Sequence, residues 1–303
     1  MIRLSRVLGA AALASIAALP ALAQSSAPTR DRVFWRALAA GKFAVPAGES
    51  ATGLARELSA LLGSPDPELR DDIAYTGLVS LIYRQRAVPP EAIRALTTEW
   101  RRNLTVGLGQ QGTDAVFRRS FSALSLGIVA ALDNEAPLLD RAEFDRLLAS
   151  ALEYLSGERD HRGFDPGTGW MHAVAHTADL LKFLARSRHL QPAQQTAILD
   201  GIAGKLRTVD EVLTHGEDER LARAVVSIAA RADFDRPAFE RWLTALAPAR
   251  SPAPPSPASL AGLQNRRNLV VSLHAVLTTD ARDLAGLDAA RSVVRAALKT
   301  FVQ

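Results

Sequence analysis

The chain has 303 residues, a formal net charge of +4, 48% hydrophobic and 22% charged residues, a composition typical of a folded domain that excludes a largely disordered chain. Arginine and acidic residues alternate along almost every segment, so positive charge is not gathered on one face as nucleic-acid recognition requires, and we expect no nucleic-acid partner. The absence of cysteine excludes disulfides, a thiolate nucleophile and cysteine-ligated zinc.

The first 23 residues carry the pattern of a secretory signal peptide. Arg3 and Arg6 precede an almost entirely apolar run over 7–22, and Ala21-Leu22-Ala23 places small residues at the cleavage positions. The run is shorter than a membrane-spanning helix needs. The sequence therefore predicts a periplasmic or secreted protein whose mature part begins near Gln24 and which has no membrane span after cleavage.

The mature chain shows helical periodicity nearly throughout, and no convincing strand pattern. Apolar residues recur at spacings of three and four, and prolines such as those in Ser64-Pro65 and Pro89-Pro90 mark helix starts. In chain order, the predicted helices span 31–43, 52–62, 64–82, 89–104, 113–132, 140–155, 170–184, 192–206, 218–232, 236–246, 260–277 and 288–302.

These helices form antiparallel pairs that start roughly 35 to 50 residues apart, a spacing typical of helical-hairpin repeats. We therefore predict an all-α fold in which antiparallel helical hairpins stack as an α-α superhelix of the HEAT-like kind or close into a helical toroid; a compact orthogonal bundle fits the same pattern. Five prolines within 247–259 predict a linker. The predicted organisation is a signal peptide (1–23), a helical-repeat domain (24–247), a linker (248–258) and a C-terminal hairpin (259–303) that caps the repeat.

The most informative polar residues lie on the helix predicted over 170–184. With Thr168 as its N-cap, this helix places Trp170 on an apolar stripe and His172, His176 and Asp179 together on the opposite side. Two histidines one turn apart, with a carboxylate three residues further on, have the spacing to hold one divalent metal ion. The sequence therefore offers one candidate metal site.

The loop before this helix supplies further polar residues for the same site. Asp160, His161 and Asp165 are candidates for a fourth metal ligand or for a base that activates bound water. The general-base glutamate that zinc proteases carry between their histidines is missing, since Ala173-Val174-Ala175 occupies those positions. The alternative is that the two histidines are solvated or bonded to a neighbouring helix.

Two further polar segments are candidate binding sites. Arg162, in the loop with Arg159 and His161, has the chemistry to hold an anion or to form a solvated turn. Glu217 and Asp218 open a predicted helix, where the helix dipole favours acids. The same acids reach the histidine face if the two helices are neighbours.

Arg119 is a weaker candidate catalytic residue. It follows Arg118 in an otherwise apolar helix, so one of the two arginines is expected to be half-buried and paired with Asp71 or Asp72. The alternatives are a structural ion pair and a pocket residue.

Four segments resemble an uncharacterised bacterial family, a domain of unknown function with helical-repeat architecture. The resemblance spans roughly 31–246, and the Trp-x-His-Ala-x-Ala-His-x-x-Asp stretch is its most specific part. It implies a fold and a shared site at His172, His176 and Asp179 without implying a reaction. The segments are Leu69-Arg-Asp-Asp-Ile-Ala-Tyr75, Arg119-Ser-Phe-Ser122, Trp170 through Leu181, and Glu217-Asp-Glu-Arg-Leu-Ala222.

Two functions fit these observations. The first is an exported helical-repeat protein that binds a protein, a peptide or a small ligand on its concave face, with Trp170, Arg162, Glu217 and Asp218 as candidate contacts. The second is a metal-dependent hydrolase in which the two histidines and Asp179 hold the ion. The first is the better supported, because no catalytic motif accompanies the histidine pair.

Overall fold

A computed structural model of the chain describes residues 30–247, 254–280, 282 and 284–302. Within these ranges it forms twelve helices and one two-stranded antiparallel hairpin, so the predicted all-α fold of stacked helices is confirmed. The predicted signal peptide and residues 248–253 of the predicted linker lie outside the described residues. The elements are α1 (Arg32–Ala40), α2 (Ala51–Leu61), α3 (68–84), α4 (Pro90–Asn103), α5 (Ala115–Glu135), α6 (Arg141–Gly157), β1 (Phe164–Asp165), β2 (Gly169–Trp170), α7 (Ala173–Leu184), α8 (Pro192–Thr208), α9 (Glu217–Ala229), α10 (Arg236–Leu246), α11 (Pro257–Thr279) and α12 (Ala285–Val302).

Local signals set many of the helix starts. Asp31, Ser50, Asp140 and Asp235 each accept a hydrogen bond from a backbone N–H in the first turn of the helix that follows. Proline occupies the first turn of α4, α8, α10 and α11, where its missing N–H is not needed. Because α11 begins at Pro257, it takes in the end of the predicted linker.

The odd-numbered helices from α3 to α11 pack side by side, each against the next in the series. Of the even-numbered helices, α6 packs on α7 and α8, while α10 packs on α8 and α12. Fully buried aliphatic side chains along the odd-numbered helices form one continuous core. Helix α12 contacts α9, α10 and α11, so the two C-terminal helices continue the stack.

Helix α5 is long and apolar enough, by length and composition, to cross a membrane. It has 21 residues, and an 18-residue window within it has a mean hydropathy of 1.4. The prediction of no membrane span after cleavage did not take this helix into account. In the fold 89% of that window is buried, because α5 packs against α3, α4 and α7. This is the burial expected of a core helix.

Helix α3 departs from regular α geometry. It is π-helical over Glu68–Tyr75 and again over Val79–Arg84, with one α-helical turn, Thr76–Leu78, between them. Hydrogen bonds from residue i to i+5 give π turns more residues than α turns, and such segments are common at functional sites.

Candidate functional site

Two cavities, each of about 430 Å³, adjoin between α3, α5, α7 and the first turn of α9. Both are lined by Tyr75, Leu124 and Arg220, so the two cavities are neighbours, and together we call them the inter-helix groove. Its histidine end is lined by Asp71, Asp72, Phe121, Trp170, His172, His176 and His215. Its apolar end is lined by Val79, Tyr83, Gly127, Ile128, Ala131, Asp179, Lys182 and Phe183.

The irregular geometry of α3 makes one wall of the groove. Asp71, Tyr75, Val79 and Tyr83 follow one another at every fourth position and all line the groove. In a regular α-helix each four-residue step turns the side chain by about 40°, or roughly 120° from Asp71 to Tyr83. The wider π turns offset this drift. The four side chains therefore form one row along the helix.

The β-hairpin sets the position of His172. After β2, the N–H of Met171 donates to Gly163 O at 2.9 Å and the N–H of His172 donates to Arg162 O at 3.1 Å, which continues the strand pairing. His172 then adopts a left-handed backbone conformation with φ 50° and is the N-cap of α7. Such a conformation is unfavourable for a residue other than glycine and clusters at functional sites.

The hydrogen bond from the His172 ring fixes its tautomer. Nε2 lies 2.9 Å from the carbonyl oxygen of His215, which only accepts, so Nε2 carries the proton. The buried carboxylate of Glu217 lies 3.7 Å from the same nitrogen and accepts the backbone N–H of His215. Trp170 stacks on the other side of the ring, with centroids 4.3 Å apart. In the neutral ring, Nδ1 is left as an acceptor.

His176 is held in the opposite tautomer. The Ser120 hydroxyl donates to Met171 O, so it accepts from Nδ1–H of His176 at 2.7 Å. Phe121 packs edge-on against the imidazole, with ring centroids 4.8 Å apart. Nε2 of His176 is therefore an acceptor, and it has no protein partner among the described residues.

Burial keeps both imidazoles neutral. Desolvation lowers the pKa of His176 well below its ordinary value, and the neighbouring His172, Arg220 and Arg70 lower it further. Desolvation also lowers the pKa of His172, against the opposing effects of the His215 carbonyl and Glu217. At neutral pH the histidine end therefore presents two uncharged rings.

Two carboxylates of α3 line the same cavity as these rings. Burial raises the pKa of Asp71 to about 6, although Arg70 beside it acts in the other direction. Arg70 itself is fully buried, donates to Thr168 O at 2.7 Å and lies over the ring of Phe117. Asp72 is exposed and has no hydrogen-bonded or ionic partner within the described part of the chain.

Charged side chains lie where the two cavities meet. Asp179 accepts from Lys182 at 2.9 Å and from Arg220, so its carboxylate faces the apolar end of the groove. Burial and the nearby Asp179 charge raise the pKa of Tyr75 to about 12, so its hydroxyl stays protonated. The groove thus has an aromatic centre between a histidine end and an apolar end.

A family model matches residues 104–275, more than half of the chain. The chain belongs to the family of proteins of unknown function DUF2785. No curated protein and no solved structure matches it. The DUF2785 region runs from the end of α4 into α11 and omits α1 to α3. It therefore includes part of the predicted C-terminal hairpin (259–303), which lies beyond the span of the family resemblance (31–246). Helices α5, α7 and α9 of the groove lie inside the region, whereas α3 lies outside it.

Within the DUF2785 region, the structure brings together only part of the predicted metal set. The rings of His172 and His176 are neighbours, with centroids 5.7 Å apart, whereas the Asp179 carboxylate is bound by Lys182 and Arg220. The residues that the structure describes contain no group of three or more His, Asp or Glu side chains placed to hold a metal ion.

The helix predicted over 170–184 is wrong at its start. Trp170 belongs to β2 and is 39% exposed, so it is not part of the buried stripe. Thr168 lies in the hairpin turn, where its N–H and hydroxyl donate to Asp165. Asp165 therefore shapes the turn. The exposed indole lines the histidine end of the groove, which keeps Trp170 as a candidate binding residue.

The other candidates fall outside the groove. Asp160 is buried and accepts from Arg162 at 2.6 and 2.8 Å, so these two residues pair with each other. Asp218 accepts from Ser272 on α11. Of the acids at the start of α9, Glu217 alone reaches the histidines.

One of the two neighbouring arginines, Arg119, is buried and paired as expected, but its partner is Glu158 and not Asp71 or Asp72. Its guanidinium is fully buried and donates to both carboxylate oxygens of Glu158, at 2.6 and 3.0 Å. Two backbone N–H groups also donate to Glu158. Arg119 therefore joins α5 to the end of α6.

Sequence reasoning missed His215, Arg220 and Tyr75 as site residues, together with the position of the two acids on α3. The recurrence of Asp71, Tyr75, Val79 and Tyr83 at every fourth position was a usable signal, but it points to a common face only if the helix is wider than an α-helix.

Proposed function

We propose that this chain is an exported binding protein that holds a small ligand in the inter-helix groove. The observation that carries the proposal is the junction of two cavities of about 430 Å³ at Tyr75, Leu124 and Arg220. Each cavity has the size of a small-molecule site, and the combination of apolar walls with a few fixed polar groups is what such sites use. The histidine end supplies the polar groups and the apolar end supplies contact area.

The proposal extends to the architecture and the address. The side-by-side packing of α3, α5, α7, α9 and α11 supports a HEAT-like superhelix whose inner helices carry the groove. The N-terminal charge and hydropathy pattern supports export. Intact-mass measurement of the protein recovered from a secreting host tests export. A mature chain that begins at Gln24 is expected outside the cytoplasm, and an uncleaved protein that still carries residues 1–23 and stays in the cytoplasm would refute export.

Gly127 allows a direct test of the groove. It lines the apolar end, and a Cβ added there would meet its nearest neighbour, Leu180, at 3.7 Å, an ordinary contact. Gly127→Ala should therefore fit the helix and is the matched control that leaves most of the cavity open, whereas Gly127→Leu adds three further carbons beside the apolar end of the groove. Ala131→Leu offers a second filling variant on the same helix.

The probe is N-phenyl-1-naphthylamine, an uncharged dye whose fluorescence rises in apolar surroundings. We expect saturable one-site binding to the wild type and to Gly127→Ala, and a loss of at least ten-fold in affinity in both filling variants. Thermal unfolding of each variant checks that it remains folded. Equal binding by all four proteins would show that the groove is not the site.

A further inference from the structure

The two histidines at the groove carry open nitrogens that are not sealed inside the protein. Both side chains are 95% buried or more, and both rings line the cavity. Nδ1 of His172 and Nε2 of His176 have no hydrogen-bond partner among the described residues. Neither atom is fully enclosed by protein. Each of these two nitrogens therefore faces the space of the groove.

Both open nitrogens are lone-pair acceptors. The His215 carbonyl holds the proton of His172 on Nε2, and Ser120 holds the proton of His176 on Nδ1. Burial keeps both rings neutral. Neither ring can present a donor to the groove without taking up a proton against that penalty.

The acids of α3 add more acceptors to the same space. The carboxylates of Asp71 and Asp72 line the histidine end, and Asp72 is without an ionic partner in the described ranges. Arg70 pairs with Asp71 at 3.3 Å, and Arg220 is paired with Asp179, so Asp72 is the carboxylate of this end whose charge has no partner in the described ranges. Hydrogen-bond acceptors and negative charge therefore outnumber the donors that a ligand would meet here.

A bare metal ion does not match this arrangement. The described His, Asp and Glu side chains include no set of three that converges on one point, as a zinc site requires. An organic cation is larger, and its several N–H donors reach acceptors spread around it at hydrogen-bond distance. The partly exposed indole of Trp170 lines this end of the groove and provides the aromatic surface that organic cations favour.

We propose that the histidine end of the groove binds the ammonium group of an amine whose apolar part occupies the adjoining apolar end. Acceptors for its three N–H donors come from the set of Asp71, Asp72 and the open nitrogens of His172 and His176, and Trp170 packs against it. This assignment rests on the proposed binding function and names the chemical class of its ligand.

Three probes of nearly equal size test the charge preference: 2-phenylethylamine, 2-phenylethanol and phenylacetate. Their binding is followed by the change in tryptophan emission, which we assign to Trp170 because the other three tryptophans, Trp35, Trp100 and Trp242, are buried. We expect the amine to bind roughly ten-fold more tightly than the alcohol, and phenylacetate to bind least.

The variant pair separates the acids of the groove from general charge effects. In Asp71→Asn combined with Asp72→Asn, the preference for the amine over the alcohol should fall to within about two-fold, while the alcohol still binds and shows that the groove is intact. Asp200→Asn removes an exposed acid on α8 and should leave the ten-fold preference unchanged.

Several results would overturn the assignment. Equal binding of alcohol and amine, or a preference for phenylacetate, would leave a binding groove with a different ligand class. Stoichiometric binding of zinc chloride that displaces the amine would assign the acceptors to a metal. If none of the three probes binds and N-phenyl-1-naphthylamine also fails to bind, the proposed function itself is wrong.

Discussion

Replacement of Arg119 by methionine tests whether this arginine is structural. Its guanidinium donates to both oxygens of Glu158 and to the carbonyls of Val106 and Gly107. Methionine keeps the contacts of the aliphatic stem and removes the charge, so the Glu158 carboxylate, 3% exposed, retains only backbone donors. Breaking a buried ion pair by removing one partner costs about 3–5 kcal/mol, a large part of a typical stability of about 5–15 kcal/mol.

Urea unfolding followed by circular dichroism measures this loss. Arg118→Met is the matched control, because Arg118 is the adjacent residue and has no acidic partner among the described residues; its free energy of unfolding should change by less than about 1 kcal/mol. Adding Glu158→Gln to Arg119→Met should restore part of the stability, since no buried charge remains. A loss below about 1 kcal/mol in Arg119→Met, or no recovery in the double variant, would refute the structural role.

Three further predictions concern protonation. Nitrogen-15 spectra at pH 7 should show neutral rings with the proton on Nδ1 of His176 and on Nε2 of His172, and a charged His176 would contradict the assigned hydrogen bonds. Because the pKa of Asp71 is raised to about 6, the native state keeps a proton that the unfolded chain loses from about pH 4, and the stability of the wild type falls as the pH rises from about 4 to about 6. Asp71→Asn should therefore be more stable than the wild type at pH 7 by on the order of 2 kcal/mol. Identical urea midpoints for the two proteins would argue against this pKa. Burial lowers the pKa of Lys205 to about 8, so between about pH 8 and 10 the unfolded chain binds more protons than the native state. Over this range the stability of the wild type should rise relative to that of Lys205→Met by about 2 kcal/mol. Parallel curves of stability against pH for the two proteins would contradict this prediction.

The helices were predictable because their signals are local. Prolines and capping residues, such as Asp140 and Pro192, sit at the observed starts, and apolar spacing identifies the buried faces. The β-hairpin was not predictable in the same way. Its two-residue strands are too short for an alternating pattern, and its turn depends on Asp165 accepting bonds from residues two and three positions ahead.

The candidate site was predictable only where one helix carries it. His172 and His176 are one turn apart, and their proximity follows from the spacing alone. The spacing could not show that Asp179 pairs with Arg220, which lies on α9, 41 positions away in the sequence. The acids of α3 reached the site through packing of α3 against α5, which no local pattern in the chain encodes.

The wide turns of α3 let one wall of the groove tolerate a change in chain length. A substitution at Tyr75 or Val79 alters one contact and leaves the row in place. The loss of a single residue within 79–84 would let ordinary i to i+4 bonding resume, and five residues at about 100° each turn the chain almost as far as six residues in the wider turns. The chain beyond the deletion would therefore keep its direction, and the change would stay within the local lining of the apolar end.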